Sequence, residues 1–247
     1  MISIKTSNEI KTMRRGGRIL AVTLKELSNI AKPGMKLSKI DKIAHDLITK
    51  SGGQPSFLNY NGYPGSMCAS INDEVVHGLP RETKLRDGDI FSIDCGVYFE
   101  GYHTDSAITI PIGKIGKDAI NLISITRNAL YKGIDIIRPG IYLGDVSAAI
   151  QREVESAGMG VVKDLVGHGI GKELHEEPQI PNFGKRGTGI ILREGMTLAI
   201  EPMVTLGRPE IKVGKDNWTI FTVDGSLSAH FEHTICVTKE GSEILTK

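Results

Sequence analysis

The sequence predicts a mixed α/β fold (α+β) made by duplicating one helix-plus-antiparallel-sheet unit, and three internal echoes carry that prediction. PGMKLSKIDKIAHDLITKSGG at 33–53 returns as PGIYLGDVSAAIQREVESAG at 139–158, an offset of 106. LRDGDIFSID at 85–94 returns as LREGMTLAIE at 192–201, offset by 107. HTDSAITI at 103–110 is echoed by HFEHTICV at 230–237, offset by 127, so the second copy carries about twenty extra residues between its paired strands. Self-similarity at a nearly fixed offset marks a repeated structural unit.

Each unit reads helix, Pro-Gly turn, helix, strands. The first helix is expected to begin at a capping box of Thr6 and Glu9 and to run through Ile10, Met13, Leu20, Leu24 and Leu27. Its counterpart spans roughly residues 117–137. In the second helix of each copy, Ile40, Ile43, Ala44 and Ile48 match Val146, Ala149, Ile150 and Val154, an apolar stripe at helical spacing. Ser38 and Gly144-Asp145 are the expected helix starts. The chain is expected to be a single domain, 1–247, with approximate repeats 7–112 and 113–247, and the seam between them is the natural place for a site.

Bulk composition removes several function classes. Thirty basic against 29 acidic residues leave a net charge of +1, too balanced for a protein whose surface is dedicated to nucleic acid or anionic membrane. No apolar run approaches the roughly 18 residues of a membrane span, and the opening MISIKTSNEIK lacks an apolar signal core. Cys68, Cys95 and Cys236 are odd in number and far apart, as expected of free thiols in a reducing, cytoplasmic setting.

The echoes end on acids. A tight turn at Phe99-Glu100 pairs residues whose numbers sum to 199, which sets Asp94 directly against Asp105 on neighbouring strands. The corresponding acids of the second copy are Glu201 and Glu232. Any one of them alone reads as a solvent-facing strand residue or half of an ion pair. Four related by a duplication imply a shared positive partner, because an acid buried unpaired in an apolar strand costs several kcal/mol. A two-carboxylate acid/base dyad accounts for two of the four; with an imidazole, the whole set fits a pair of divalent ions.

Seven histidines are present. His45, on an amphipathic helix, and His103, His230 and His233, beside acids in strands, are expected to make local hydrogen bonds. His77, before Gly78, His168, in GHGIG, and His175, seven residues further on, have more suggestive settings. GHGIG is a poor helix interior, so His168 is expected on a turn or strand end with close backbone approach.

At this point the chain resembles the type I methionine aminopeptidases over essentially its whole length. The motifs are NYNGYPGSMCASINDEVVHGLP (59–80), IDCGVYFEGYHTD (93–105), GHGIGKELHEEP (167–178), AIEP (199–202) and FEHT (231–234). The resemblance implies the so-called pita-bread fold, a pseudo-twofold duplication with a dinuclear metal site at its seam. It implies Asp94, Asp105, His168, Glu201 and Glu232 as ligands of two divalent ions, with Asp105 and Glu232 bridging and Glu201 also handling the proton of the attacking water. Manganese, cobalt or iron suits the mostly oxygen donor set, and zinc is also compatible. It further implies His77 near the scissile amide nitrogen, His175 as donor to the scissile carbonyl, and Tyr60, Tyr63, Cys68 and Trp218 around the methionine side chain. In some relatives backbone positions matching Asn72, Glu74 and Ser228 hold a monovalent cation. The implied substrates are nascent polypeptides with N-terminal methionine and a small second residue, met by a monomer in transient association with the ribosome, with no direct nucleic-acid recognition.

Two positions depart from the pattern: Leu174 stands where an aromatic residue is frequent, and Phe57 where bacterial relatives often carry cysteine. Only 23 residues separate Glu177 from Glu201, which leaves no room for the helical insertion of type II enzymes. The start of the first helix close to Met1 sets the expectation of no zinc-finger extension. An Xaa-Pro aminopeptidase or prolidase shares the fold and ligand types but needs a further N-terminal domain. A non-catalytic pita-bread module that binds proteins loses metal ligands, whereas all five matching positions are present here.

Overall fold

The computed structural model describes residues 2–247; Met1 lies outside the described residues. Four helices cover the outside of one large antiparallel sheet: α1 (Ser7–Ile30), α2 (Leu37–Lys50), α3 (Lys117–Asp135) and α4 (Leu143–Ser156). The capping box is present, with Glu9 N–H on the Thr6 hydroxyl and Thr6 N–H on the Glu9 carboxylate at 2.7 Å. The other two start signals need correction. Helix α2 begins at Leu37 after Lys36, whose side chain offers no acceptor for a cap; Ser38 lies inside the first turn, with its hydroxyl on Glu82 at 2.6 Å. Helix α4 begins at Leu143, and Asp145 caps it from inside by accepting the Tyr142 N–H at 3.1 Å.

The two copies fold alike in detail. Gly34 and Gly140 both turn at positive φ, 89° and 90°, a conformation that favours glycine. Both turns then dock on the corresponding later segment: Gly34 N–H on Leu85 O and Leu37 N–H on Thr83 O, Gly140 N–H on Leu192 O and Leu143 N–H on Ile190 O.

The main sheet runs Gln54–Pro55, Ile90–Phe99, Tyr102–Pro111, Glu232–Val237, Thr197–Ile200, Val166–Gly169, Glu176–Pro181 across its width. Tyr102–Pro111 of the first copy and Glu232–Val237 of the second pair antiparallel at its centre, so one ladder closes the seam. Period-2 alternation divides the faces. Ile93, Cys95 and Val97 point outward to Leu20, Leu24, Leu27, Ile40 and Ile48 of the first helix pair. Leu198, Ile200, Ile235 and Val237 meet the second helix pair through Leu130, Ile134, Val146 and Ile150. The intervening positions, among them Asp94, Asp105 and Glu232, face the opposite side.

The hairpin between the first two acids has a different register from the expected one. Phe99 pairs with Tyr102, Asp94 with Ala107 and Gly96 with Asp105. The turn residues are Glu100 and Gly101, both at positive φ (47° and 92°), as a two-residue turn of the hairpin-favouring type requires, and glycine fits its second place far better than Glu100 does. The shift is by two residues. Asp94 and Asp105 are therefore diagonal rather than directly opposed, yet still on one face.

The additional residues of the second copy form strands Met203–Thr205, Ile211–Val213, Ile220–Thr222 and Ser228–His230. Ile220–Thr222 pairs with Glu74–Val76 of the first copy, which brings Trp218 beside His77.

Gly17 marks where α1 meets the C-terminal segment: a Cβ there would collide with the Leu245 carbonyl oxygen and lie 3.3 Å from Thr246 N. Gly17→Ala is expected to destabilise by about 1–3 kcal/mol through overpacking, in spite of a helix-propensity gain of roughly 1 kcal/mol. Val22→Ala on the exposed face of the same helix should be near neutral. Thermal unfolding of both variants tests this; a Tm for Gly17→Ala equal to that of Val22→Ala would refute the close contact.

Candidate metal centre and active site

Five successive strands of the main sheet each contribute one of the five expected ligands. Across the sheet the order is Asp94, Asp105, Glu232, Glu201 and His168. Ala107 pairs with both Asp94 and Glu232, so only a methyl group stands between these acids in the ladder. His233 pairs with Ile200 and Thr234 with Ala199, a register that carries Glu232 alongside Glu201 just past the strand end. His168 pairs with Ala199, two residues from Glu201 and on its face. The backbone around the cluster is pinned by Asp105 N–H to the Thr234 hydroxyl at 2.8 Å and by the Ser106 hydroxyl to Glu232 O at 2.7 Å.

The cluster lacks internal compensation for its charge. Asp94, Asp105 and Glu232 are 8 %, 4 % and 2 % exposed. Asp94 Oδ1, Asp105 Oδ1 and Glu232 Oε1 are buried without a hydrogen-bond partner among the described residues. Burial raises Asp94 from 3.8 to about 6 and Glu201 from 4.5 to about 8. Asp105 and Glu232 are raised well above the usual carboxylate range, first by burial and then by the neighbouring carboxylates.

His168 shows the geometry of a preset metal ligand. Its Nδ1 lies 2.8 Å from Gly169 O, and a carbonyl can only accept, so the proton is on Nδ1 and the Nε2 lone pair is free. Nε2 lies 3.6 Å from Glu201 Oε1. Burial lowers His168 to about 3, which keeps the ring neutral. Asp105, His168 and Glu232 bring ligand atoms within 4.8 Å of one another, and so do Glu201, His230 and Glu232. Orphaned carboxylate oxygens around a neutral imidazole are what a divalent cation would satisfy, so the residues present fit metal.

The five expected metal ligands, His77, His175 and the four expected pocket residues all line one cavity of about 230 Å³, together with Phe57, Asn61 and Leu174, whereas Asn72, Glu74 and Ser228 lie outside it. One wall is apolar: Phe57, Tyr63, Cys68 and Leu174 pack with Met13 and Ile170, and Trp218 stands edge-on to Tyr63 with ring centroids 5.2 Å apart. The two departures from the family pattern, Phe57 and Leu174, are both buried in this wall. The Tyr63 hydroxyl donates to Gly78 O at 2.8 Å and Met67 O at 3.1 Å, tying the wall to the loop that follows His77. The Cys68 thiol, raised by burial and then by Asp94, acts as an apolar side chain here; Cys68, Cys95 and Cys236 are all free and buried.

The opposite wall holds the histidines. His77 follows strand Glu74–Val76 in the left-handed region, φ 58°, a conformation rare for a side chain of this size. The strand is fixed by the Arg81–Glu74 ion pair and by Ile71 N–H on Glu74 at 2.9 Å. Burial against surrounding protein lowers His77 to about 4, although the ring still opens to the cavity. His175 packs on His168 with centroids 4.3 Å apart, and its Nδ1 lies 2.7 Å from the Tyr60 hydroxyl. Tyr60, expected only as pocket lining, is thus also the hydrogen-bond partner of His175. The segment between His168 and His175 is anchored by a short Lys5–Glu176 ion pair from the N-terminus.

The histidines expected to make local bonds divide unequally. His45 meets Ser66 at 3.0 Å, His103 meets Ser56 at 2.9 Å and His233 meets Thr246 at 2.9 Å. His230 does not conform: neither ring nitrogen has a hydrogen-bond partner among the described residues, and Nε2 lies 3.5 Å from Glu201 Oε2. Its place beside Phe231-Glu232 in the sequence was the available signal, but the same signal applied to His233 and His103, which are bonded elsewhere. No helix among the described residues is long and apolar enough to cross a membrane.

Known proteins share this sequence and fold. Metallopeptidase family M24 matches residues 11–239. Methionine aminopeptidase 1 of Bacillus subtilis is 49% identical over 247 residues, covering 100% of both chains. The crystal structure of methionine aminopeptidase from Thermotoga maritima superimposes with a TM-score of 0.99 at 48% identity over 100% of both chains. Prolidase from Pyrococcus furiosus shares the fold, with a TM-score of 0.80 at 21% identity, over 99% of this chain and 65% of that one. The chain belongs to the methionine aminopeptidases of metallopeptidase family M24.

Proposed function

We propose that the chain is a cytoplasmic, two-metal methionyl aminopeptidase that removes the initiator methionine from nascent polypeptides when the second residue is small. The observation that carries this reading is the row of four carboxylates and His168 on successive strands, opening onto an apolar pocket sized for one side chain. Two divalent ions held by Asp94, Asp105, His168, Glu201 and Glu232 would supply Lewis acidity toward the scissile carbonyl and a water acidic enough to attack at neutral pH.

The chain's own groups do the rest. Glu201 is placed to accept the proton of the attacking water and return it to the leaving amine. The Tyr60 hydroxyl lies 2.7 Å from His175 Nδ1; with the hydroxyl as donor, the ring proton sits on Nε2, where it stabilises the oxyanion that develops on the carbonyl. His77 holds the scissile amide nitrogen. Phe57, Tyr63, Cys68, Leu174 and Trp218 take the thioether side chain, for which sulfur–aromatic contact is favourable. Backbone carbonyls near Asn72, Glu74 and Ser228 suit a monovalent cation. Two of the three are neighbours, since Ser228 N–H donates to Asn72 O at 2.8 Å.

Chelation should abolish release of methionine from Met-Ala-Ser, and manganese, cobalt or ferrous ion should restore it, with Xaa-Pro peptides left uncleaved. Met-Ala peptides should turn over and Met-Ile peptides should not, since a larger second side chain shifts the carbonyl and about 1 Å of misplacement can cost a hundredfold. Full turnover without metal, or equal rates on both peptides, would reject the assignment.

His175→Ala should retain both metals and lose roughly 10²–10³ in kcat, the cost of one oxyanion donor. Tyr60→Phe should lose a smaller factor in kcat with KM little changed. Metal loss in His175→Ala would make His175 a ligand instead.

Stability should depend on pH in opposite ways with and without metal. A carboxyl raised in the folded state keeps its proton longer than in the unfolded chain, so its contribution is complete at low pH and is lost as pH rises through the folded value, about 8 for Glu201. The histidines lowered on folding, His168 to about 3 and His77 to about 4, act in the other direction but only below about 6.5. Between pH 6.5 and 8 the metal-free protein should therefore lose Tm as pH rises, while the increment from added manganese grows. A flat metal-free Tm across that window would show the carboxyls to be already ionised.

A further inference from the structure

His230 has no role in the proposed function, yet it stands against Glu201 with its ring buried and its backbone fixed. It is 2 % exposed, and both ring nitrogens are buried without a partner. Its backbone is clamped by one hydroxyl: His230 N–H donates to Thr109 Oγ1 at 2.8 Å, and the same hydroxyl donates to His230 O at 2.8 Å. Strand pairing with Met203 fixes its direction further. The ring is thereby held with Nε2 3.5 Å from Glu201 Oε2, too far for an ordinary hydrogen bond. A neutral imidazole has one N–H and one lone pair, and burying both unpaired costs stability that folding alone does not return.

The ligand groups show what would resolve this. Asp105, His168 and Glu232 form one set, and Glu201, His230 and Glu232 form a second, with Glu232 in both. Each set contains one imidazole. A cation in the second set would take the His230 lone pair and satisfy the orphaned Glu232 oxygen at once.

We propose that His230 is a sixth protein ligand of the metal centre, adding a second imidazole beside Glu201 and Glu232. The proposal rests on the reading of the five residues above as metal ligands. A second nitrogen donor makes the centre less purely oxygen-based, which shifts its preference from manganese toward iron, cobalt or zinc.

X-ray absorption on the cobalt-loaded protein counts imidazoles directly: two per pair of ions are expected in the unchanged protein and one in His230→Gln. Calorimetric titration with cobalt should show one of the two ions bound about 10–100-fold more weakly in His230→Gln and the other unaffected. In chelator, His230→Gln should melt no lower than the unchanged protein, which separates lost ligation from lost folding. Two bound ions with a single imidazole would overturn the proposal and leave the five-ligand reading intact. Unaltered affinities in a folded His230→Gln would overturn it in the same way. Failure of the unchanged protein to bind any divalent ion would remove the five-ligand reading itself, and the proposal with it.

Discussion

The structure is organised around like charges that cannot be separated. Asp94, Asp105, Glu201 and Glu232 converge on the inner side of one sheet, where water is largely excluded. Two unit charges 4 Å apart repel by about 4 kcal/mol in a partly screened protein environment, and each also carries a desolvation cost. Burial away from water is what raises Asp94 to about 6 and Glu201 to about 8, and a proton on either relieves both costs. Divalent cations relieve it without surrendering the charge that the chemistry uses. The binding energy of metal and the stability of the seam are in that sense one quantity.

The rest of the fold makes that convergence possible. Helices α1 to α4 bury the outer face of the sheet, so alternation along each strand delivers the acids to the other face. The central pairing of Tyr102–Pro111 with Glu232–Val237 then sets one copy's acids beside the other's. The same pairing places a small residue, Ala107, between Asp94 and Glu232, where a larger side chain would fill the space a cation needs. The pocket has a separate origin. The hairpin that is additional in the second copy crosses to Glu74–Val76 and adds Trp218 to a wall otherwise built from Phe57, Tyr63, Cys68 and Leu174.

Neutral histidines complete the division of labour. Burial keeps His168, His77 and His175 uncharged, so they offer lone pairs and N–H groups rather than competing with cations for the carboxylates. Gly169 O orients His168, and Tyr60 is bonded to His175. The backbone acceptor settles the tautomer of His168, and the phenol holds the His175 ring by its Nδ1.

The sequence by itself determined the duplication, the two helix pairs, the four carboxylates and the setting of His168, because offsets, helical stripes and acids in apolar strands are local patterns read along the chain. It also placed the Thr6–Glu9 cap, a contact between residues three apart. Tertiary structure decided the rest. The hairpin register moved by two because turn stereochemistry at Glu100-Gly101 outweighed simple symmetry between the acids. Helix α2 started one residue before Ser38, which turned to Glu82, and Tyr60 was joined to His175 across 115 residues. His230 and His233 looked alike in HFEH, but one meets Thr246 and the other only empty bonding positions beside Glu201. Which partner a buried polar atom finds depends on what distant strands bring to it, and no local pattern encodes that neighbour.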